Sequence, residues 1–182
     1  MNVVLVGLRG SGKTTIGRHL AKELSREFVD SDDLIEQRTD LPIAEIFQLC
    51  GESYFRLLES EIIEGLSKTN GKVIATGGGA VLRRRNIVTL KRNGVVFFLD
   101  VDPEVAFNRI SLDASSPTRR PALTRHAPQD ELREQARQRR AYYLKAADHV
   151  VDVNDRGQDE IVREIIGHLR ERPESHGDAD AI

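Results

Sequence analysis

The eight residues Gly7-Leu8-Arg9-Gly10-Ser11-Gly12-Lys13-Thr14 constrain this chain more than any other stretch. They satisfy G-x-x-x-x-G-K-[ST] and follow a continuous apolar, β-branched run, Val3 to Val6, that reads as a strand buried on both faces. A strand feeding a glycine-rich loop that opens a helix turns successive backbone N–H groups inward on an anion at the positive end of the helix. Lys13 then neutralises phosphate charge and the Thr14 hydroxyl ligates Mg²⁺, while Gly10, Ser11, Gly12 and Thr15 complete a cradle for the phosphates of ATP. A merely tight turn would not need a strand before it and a helix after it. The dinucleotide fingerprint G-x-G-x-x-G fails, because it would require glycine at Thr15.

Further short apolar runs recur at Val73 to Ala75, Val95 to Leu99 and Val150 to Val153, with another strand expected to end at Asp30. Helical patterns separate them over 13–27, 31–38, 43–68, 83–93, 103–110, 129–147 and 159–172. This alternation predicts an α/β fold with a parallel sheet between two helical layers. Asp102-Pro103 is a cap and first-turn pair that sets one helix start. The chain of 182 residues suits one domain over 1–172. Residues 111–128, rich in Ser, Pro and Arg, read as an inserted, mobile lid, and the polar tail 173–182 as disordered.

With 27 basic and 29 acidic side chains, the net charge of −2 supplies no global attraction to nucleic acid or anionic lipid, so any anion site is local. No stretch approaches the ~18 apolar residues of a spanning helix. The single cysteine, Cys50, reads as packing within an apolar helix, and the start of the chain carries no targeting pattern, which leads us to expect a cytoplasmic protein.

Asp30 and Asp32 lie two apart at the exit of a strand, so their carboxylates point the same way if that strand is extended. One suits Mg²⁺, and the other suits a substrate hydroxyl and its proton, as phosphoryl transfer requires. Capping of the next helix is the plainer role for this segment, and the two are compatible. Thr76-Gly77-Gly78-Gly79 follows a buried strand and leaves backbone amides bare for a substrate. Asp100, at the end of the Val95 run, is a rival Mg²⁺ ligand ranked below Asp30. Among many arginines of solvated type, Arg56 has Glu59 at i+3 to hold it, and Arg120 falls in the lid, where a guanidinium can fold over a triphosphate.

Taken together, these residues resemble the shikimate kinases, small members of the nucleoside-monophosphate-kinase-like group. The resemblance runs from about Asn2 to Arg170 through ordered elements. These are the phosphate loop, F-x-D-x-D (Phe28, Asp30, Asp32), G-E-x-x-F-R (Gly51 to Arg56), G-G-G (Gly77 to Gly79), the lid Arg120-Pro121, and R-x-x-x-Y-x-x-x-A-D (Arg139, Tyr143, Ala147, Asp148). It implies a five-stranded sheet of order 2-3-1-4-5 and ATP-dependent phosphorylation of the 3-hydroxyl of shikimate, in aromatic amino-acid biosynthesis, by a monomer. It also implies Thr14 and Asp30 as Mg²⁺ ligands, Asp32 on substrate hydroxyls, and Lys13 and Arg120 in phosphoryl transfer. Arg56 and Arg139 would hold the substrate carboxylate, with Gly77, Gly78 and Gly79 lining its pocket. The chain departs from the family's usual pattern at Arg9, at Ala122 in the lid and at Ala141. A gluconate-type kinase, a nucleoside monophosphate kinase and a nucleotide-dependent switch are the rival readings. The first would not need Arg56, the glycines and Arg139 together.

Overall fold

In this computed structural model, residues 1–112 and 128–171 are described. Five strands, β1 (Asn2–Val6), β2 (Glu27–Asp30), β3 (Lys72–Ala75), β4 (Gly94–Asp100) and β5 (His149–Asp152), form one sheet in the order β2-β3-β1-β4-β5. Every pairing is parallel; β1, in the centre, pairs Val4 with Ile74 of β3 and with Val96 of β4. The expected strand order therefore holds.

All five residues of β1 are buried, and alternation sends them to two different cores. Val3 and Leu5 join Phe97, Leu99 and Val151 against helices α1 (Lys13–Glu23), α5 (Pro103–Leu112) and α7 (Gln158–Glu171). Val4 and Val6 join Ile74, Val96 and Phe98 against α3 (Ile43–Ser67), α4 (Arg84–Arg92) and the end of α6 (Pro128–Ala146). Each fully buried Val or Leu is worth roughly 1.5–3 kcal/mol over exposure, so burial on both faces is what makes a continuous apolar run a central strand. Helix α2 (Ser31–Thr39) packs on α3 through a smaller core of Ile35, Ile43, Ile46, Phe55 and Leu58.

Several boundaries differ from the sequence reading. Helix α1 stops at Glu23 rather than 27, because Ser25 takes a left-handed φ of 52° and the Arg26 amide closes onto Ala21 O at 2.8 Å. The expected helix 43–68 is two segments broken at Gly51, whose φ of 78° and ψ of 169° are not helical. Phe47 and Phe55 pack at a tilt across the break with ring centroids 4.7 Å apart. Cys50, expected to pack, is exposed, since the helix ends its straight run there. A 3₁₀ turn, Ala80–Leu82, follows the glycines and was not anticipated. The Asp102 cap is as expected, with its Oδ1 accepting from the Glu104 amide at 2.7 Å. Of the segment 111–128 expected as a lid, Ser111 and Leu112 end α5 and Pro128 starts α6, while the remainder, with Arg120 and Ala122, lies outside the described residues, as does the tail 173–182.

Candidate active site

The loop from Gly7 to Gly12 leaves the carboxyl end of β1 and opens α1 at Lys13. Gly10 takes a φ of 81°, and a methyl group there would fall 2.5 Å from the carbonyl oxygen of Ala106, so both the turn and the approach of α5 require glycine. Ser11 is fully buried in the loop. The Lys13 ammonium donates to the carbonyls of Gly7 and Leu8 at 2.9 and 2.8 Å, which ties its charge to the loop that precedes it.

Thr14, one residue on, donates its hydroxyl to Asp30 Oδ2 at 3.0 Å. Asp30 ends β2 and caps α2, its Oδ1 accepting from the Asp32 amide at 3.0 Å. The cap and the Thr14 contact therefore use different oxygens of one carboxylate. Burial pushes the Asp30 carboxyl above the usual carboxylate range, and the neighbouring Asp32 charge adds to this, against the lowering effect of the Asp32 amide and the Thr14 hydroxyl. A carboxylate that burial makes costly to ionise, in contact with a hydroxyl oxygen, is a donor set that fits Mg²⁺. Mg²⁺ on a nucleotide is held by one or two carboxylates plus phosphates, so the absence of any cluster of three metal-ligating side chains among the described residues is compatible with it.

At the carboxyl end of β3 the three glycines are fixed by side chains from three helices. The buried Ser31 hydroxyl of α2 accepts from the Gly77 amide at 3.0 Å, and the Tyr143 hydroxyl of α6 donates to Gly78 O at 2.5 Å. A methyl group on Gly78 would lie 3.6 Å from Nη1 of Arg139. One on Gly79 would lie only 2.5 Å from both terminal nitrogens of Arg56, so the guanidinium packs on bare backbone. Arg56 Nη1 donates to Glu59 Oε2 at 2.9 Å, and its Nε and Nη2 both donate to Glu52 Oε1 at 3.2 Å. Burial pulls the Arg56 pKa down, but the charge and hydrogen bonds of Glu59, joined by Glu52, outweigh it and hold it above its ordinary value.

A cleft of about 790 Å³ joins these parts. It is lined by Gly10, Gly12, Lys13, Thr14, Thr15, Asp30, Asp32 and Gly78 of the expected set. Ser11 lies beneath the surface, and Arg56, Gly77, Gly79 and Arg139 flank Gly78 without lining the cleft. Arg109, Arg156 and Gln158 also line it; the Arg109 guanidinium donates to Val153 O at 2.6 Å. Sequence reading passed over Arg156 and Gln158, although a segment just after a strand's carboxyl end is where parallel sheets keep their ligand loops. It also passed over Ser31 as the group that holds Gly77. Asp100, the rival metal ligand, is instead paired with Arg140. Asp148 of the last motif accepts from the Val96 amide at 2.8 Å and meets Lys91 at 3.0 Å, a role in holding the sheet.

Comparison with known proteins agrees with this fold. The family model described as shikimate kinase matches residues 9–170. A shikimate kinase of Symbiobacterium thermophilum is 43% identical over 96% of this chain and 99% of its own length. Among solved structures, the shikimate kinase from Acinetobacter baumannii in complex with shikimate superposes with a TM-score of 0.85 at 34% identity, covering 93% of this chain and 92% of that one. A gluconokinase from Sinorhizobium meliloti, at 18% identity over 93% of this chain and 91% of its own, reaches a TM-score of 0.55, a likeness of fold alone. The gluconokinase thus shares the fold, whereas with the shikimate kinases sequence and shape agree along nearly the whole chain: this chain belongs to the shikimate kinase family.

Proposed function

We propose that the chain transfers the γ-phosphoryl group of ATP to the 3-hydroxyl of shikimate, giving shikimate 3-phosphate and ADP in aromatic amino-acid biosynthesis. One observation carries the assignment of the acceptor. Arg56 and Arg139 are 83 positions apart in sequence, yet their guanidinium groups lie against adjacent residues of one turn, Gly79 and Gly78. Two guanidinium forks converging on bare backbone suit a planar carboxylate, and vicinal hydroxyls on the same ring then reach Asp32.

The amides of Gly10, Ser11, Gly12 and Thr15 hold the phosphates of ATP, and Lys13 leaves the loop carbonyls to meet the β- and γ-phosphates. Thr14 and Asp30 would hold Mg²⁺, which when bound would neutralise charge on those phosphates. Arg56 and Arg139 clamp the substrate carboxylate, and Gly77, Gly78 and Gly79 allow the ring to approach the backbone. Asp32 accepts the proton of the 3-hydroxyl as its oxygen attacks the γ-phosphorus, and the bond to the bridging oxygen of ADP breaks. Arg120 of the segment 111–128 supplies a further positive charge at the transferring group. The same reading makes this a monomeric cytoplasmic enzyme with a small-molecule substrate and neither nucleic-acid nor membrane partners; among the described residues no helix is long and apolar enough to cross a membrane.

A coupled ADP-release assay across shikimate, quinate, gluconate and the nucleoside monophosphates tests the proposal. Shikimate should give the highest kcat/KM. Preference for gluconate or a nucleoside monophosphate would sink it.

A further inference from the structure

Arg56, which on the reading above receives the substrate carboxylate, already holds a carboxylate on the edge best shaped for one. A guanidinium presents a fork of two parallel N–H groups at Nε and Nη2, the geometry that accepts a carboxylate bidentately. Glu52 Oε1 sits in that fork, 3.2 Å from each nitrogen. The other approaches are closed: Nη1 is bonded to Glu59, and the end of the guanidinium rests on Gly79. A substrate carboxylate therefore reaches the fork only when Glu52 leaves it.

The two glutamates are unequal in their ability to leave. The Glu59 side chain is 0% exposed, whereas the Glu52 side chain is 63% exposed. Glu52 also follows the break at Gly51, so it stands at the start of the second segment of α3, where a carboxylate remains favoured by the helix dipole after it lets go of Arg56. We infer that Glu52 is an internal competitor for the acid substrate, holding the Arg56 fork closed until the carboxylate of shikimate displaces it. Glu59 keeps the guanidinium in place throughout. This inference rests on the proposed carboxylate site and adds a residue that sets the affinity of that site.

A competitor that occupies the binding-competent fork part of the time weakens apparent affinity by the fraction of time the fork is free. An exposed i,i+4 pair biases such an equilibrium by about twofold, and removing it returns that factor to the ligand. Calorimetric titration of the full chain with shikimate and, separately, with ATP would measure it in Glu52→Gln, Glu52→Ala and Arg56→Ala. Both Glu52 variants should bind shikimate about twofold more tightly or better, with ATP affinity unmoved and the gain appearing in KM for shikimate. Unchanged or weaker shikimate binding in the Glu52 variants overturns the inference, since Glu52 would then be a bystander or a support for Arg56. The Arg56 variant separates the two layers. If it weakens shikimate binding while the Glu52 variants fail to strengthen it, only the competition is wrong. If it leaves shikimate binding intact, the carboxylate site is wrong and the competition falls with it.

Discussion

Arg56→Ala perturbs more than a substrate contact. The Arg56 side chain is 13% exposed, and its partner Glu59 is 0% exposed at 2.9 Å, so truncation strips a buried carboxylate of the guanidinium that faces it. Removing one partner of a buried ion pair costs about 3–5 kcal/mol, because the remaining charge keeps its desolvation penalty and loses its compensation. In a chain of this size each kcal/mol lowers Tm by about 2–4 °C, which gives a fall of about 6–20 °C. Thermal unfolding followed by circular dichroism at pH 7 would read it directly. The double variant Arg56→Ala with Glu59→Gln removes the buried charge that faced Arg56 and should recover much of the lost Tm. It should not recover shikimate binding, because the fork is still missing. A single variant that melts within about 2 °C of the wild type, or a double variant no more stable than the single, would refute the argument that Glu59 depends on Arg56. Shikimate affinity must accordingly be compared at a temperature where every variant is folded.

Two further predictions follow the same geometry. Asp30→Asn keeps an oxygen to accept from the Asp32 amide while deleting a charge that burial and Asp32 make costly. In metal-free buffer the variant should melt higher than wild type at neutral pH. Because the folded-state pKa of Asp30 is raised, the wild type loses stability as pH rises from the ordinary carboxylate value through the raised one. The advantage of the variant should therefore shrink on acidification, and ADP release should fall by about 10²-fold or more. A lower Tm for Asp30→Asn throughout this range would contradict it. Tyr143→Phe removes the donor to the Gly78 carbonyl inside the protein and should cost about 1–3 kcal/mol in urea unfolding, with a higher KM for shikimate; wild-type values for both would show that the turn is held by other means.

What could be read from the letters is what depends on neighbours in sequence. The phosphate loop needs eight consecutive residues, a preceding buried strand and a following helix, and all three are local, so the placement of Lys13 and Thr14 at the start of α1 was legible. The same holds for Asp30 capping α2 and for Glu59 one turn from Arg56, since spacing along a strand or helix dictates which side chains meet. The alternation of apolar runs and helical patterns determined a parallel sheet between helices, but strand order came only through resemblance to known relatives.

Tertiary packing decided the rest, because those outcomes depend on groups that meet only when the sheet is assembled. Asp30 and Asp100 are both acidic strand ends, and the only local feature that ranks them is the helix start at Asp102-Pro103 just after Asp100. Packing brings Arg140 to Asp100 and the Thr14 hydroxyl to Asp30. The helix over 43–67 is periodic enough to read, yet its break at Gly51, which starts a new segment at Glu52, arises where Phe47 and Phe55 must pack together across it. Arg56 and Arg139 come from different helices on either side of β3 and β4 in sequence, and only the turn from Gly77 to Gly79, fixed by Ser31 and Tyr143, gives them a common backbone to rest on. Periodicity carries the direction of a side chain over a few residues. The partner it meets across the fold is set by which surfaces bury the most apolar area while leaving every buried polar group a hydrogen bond.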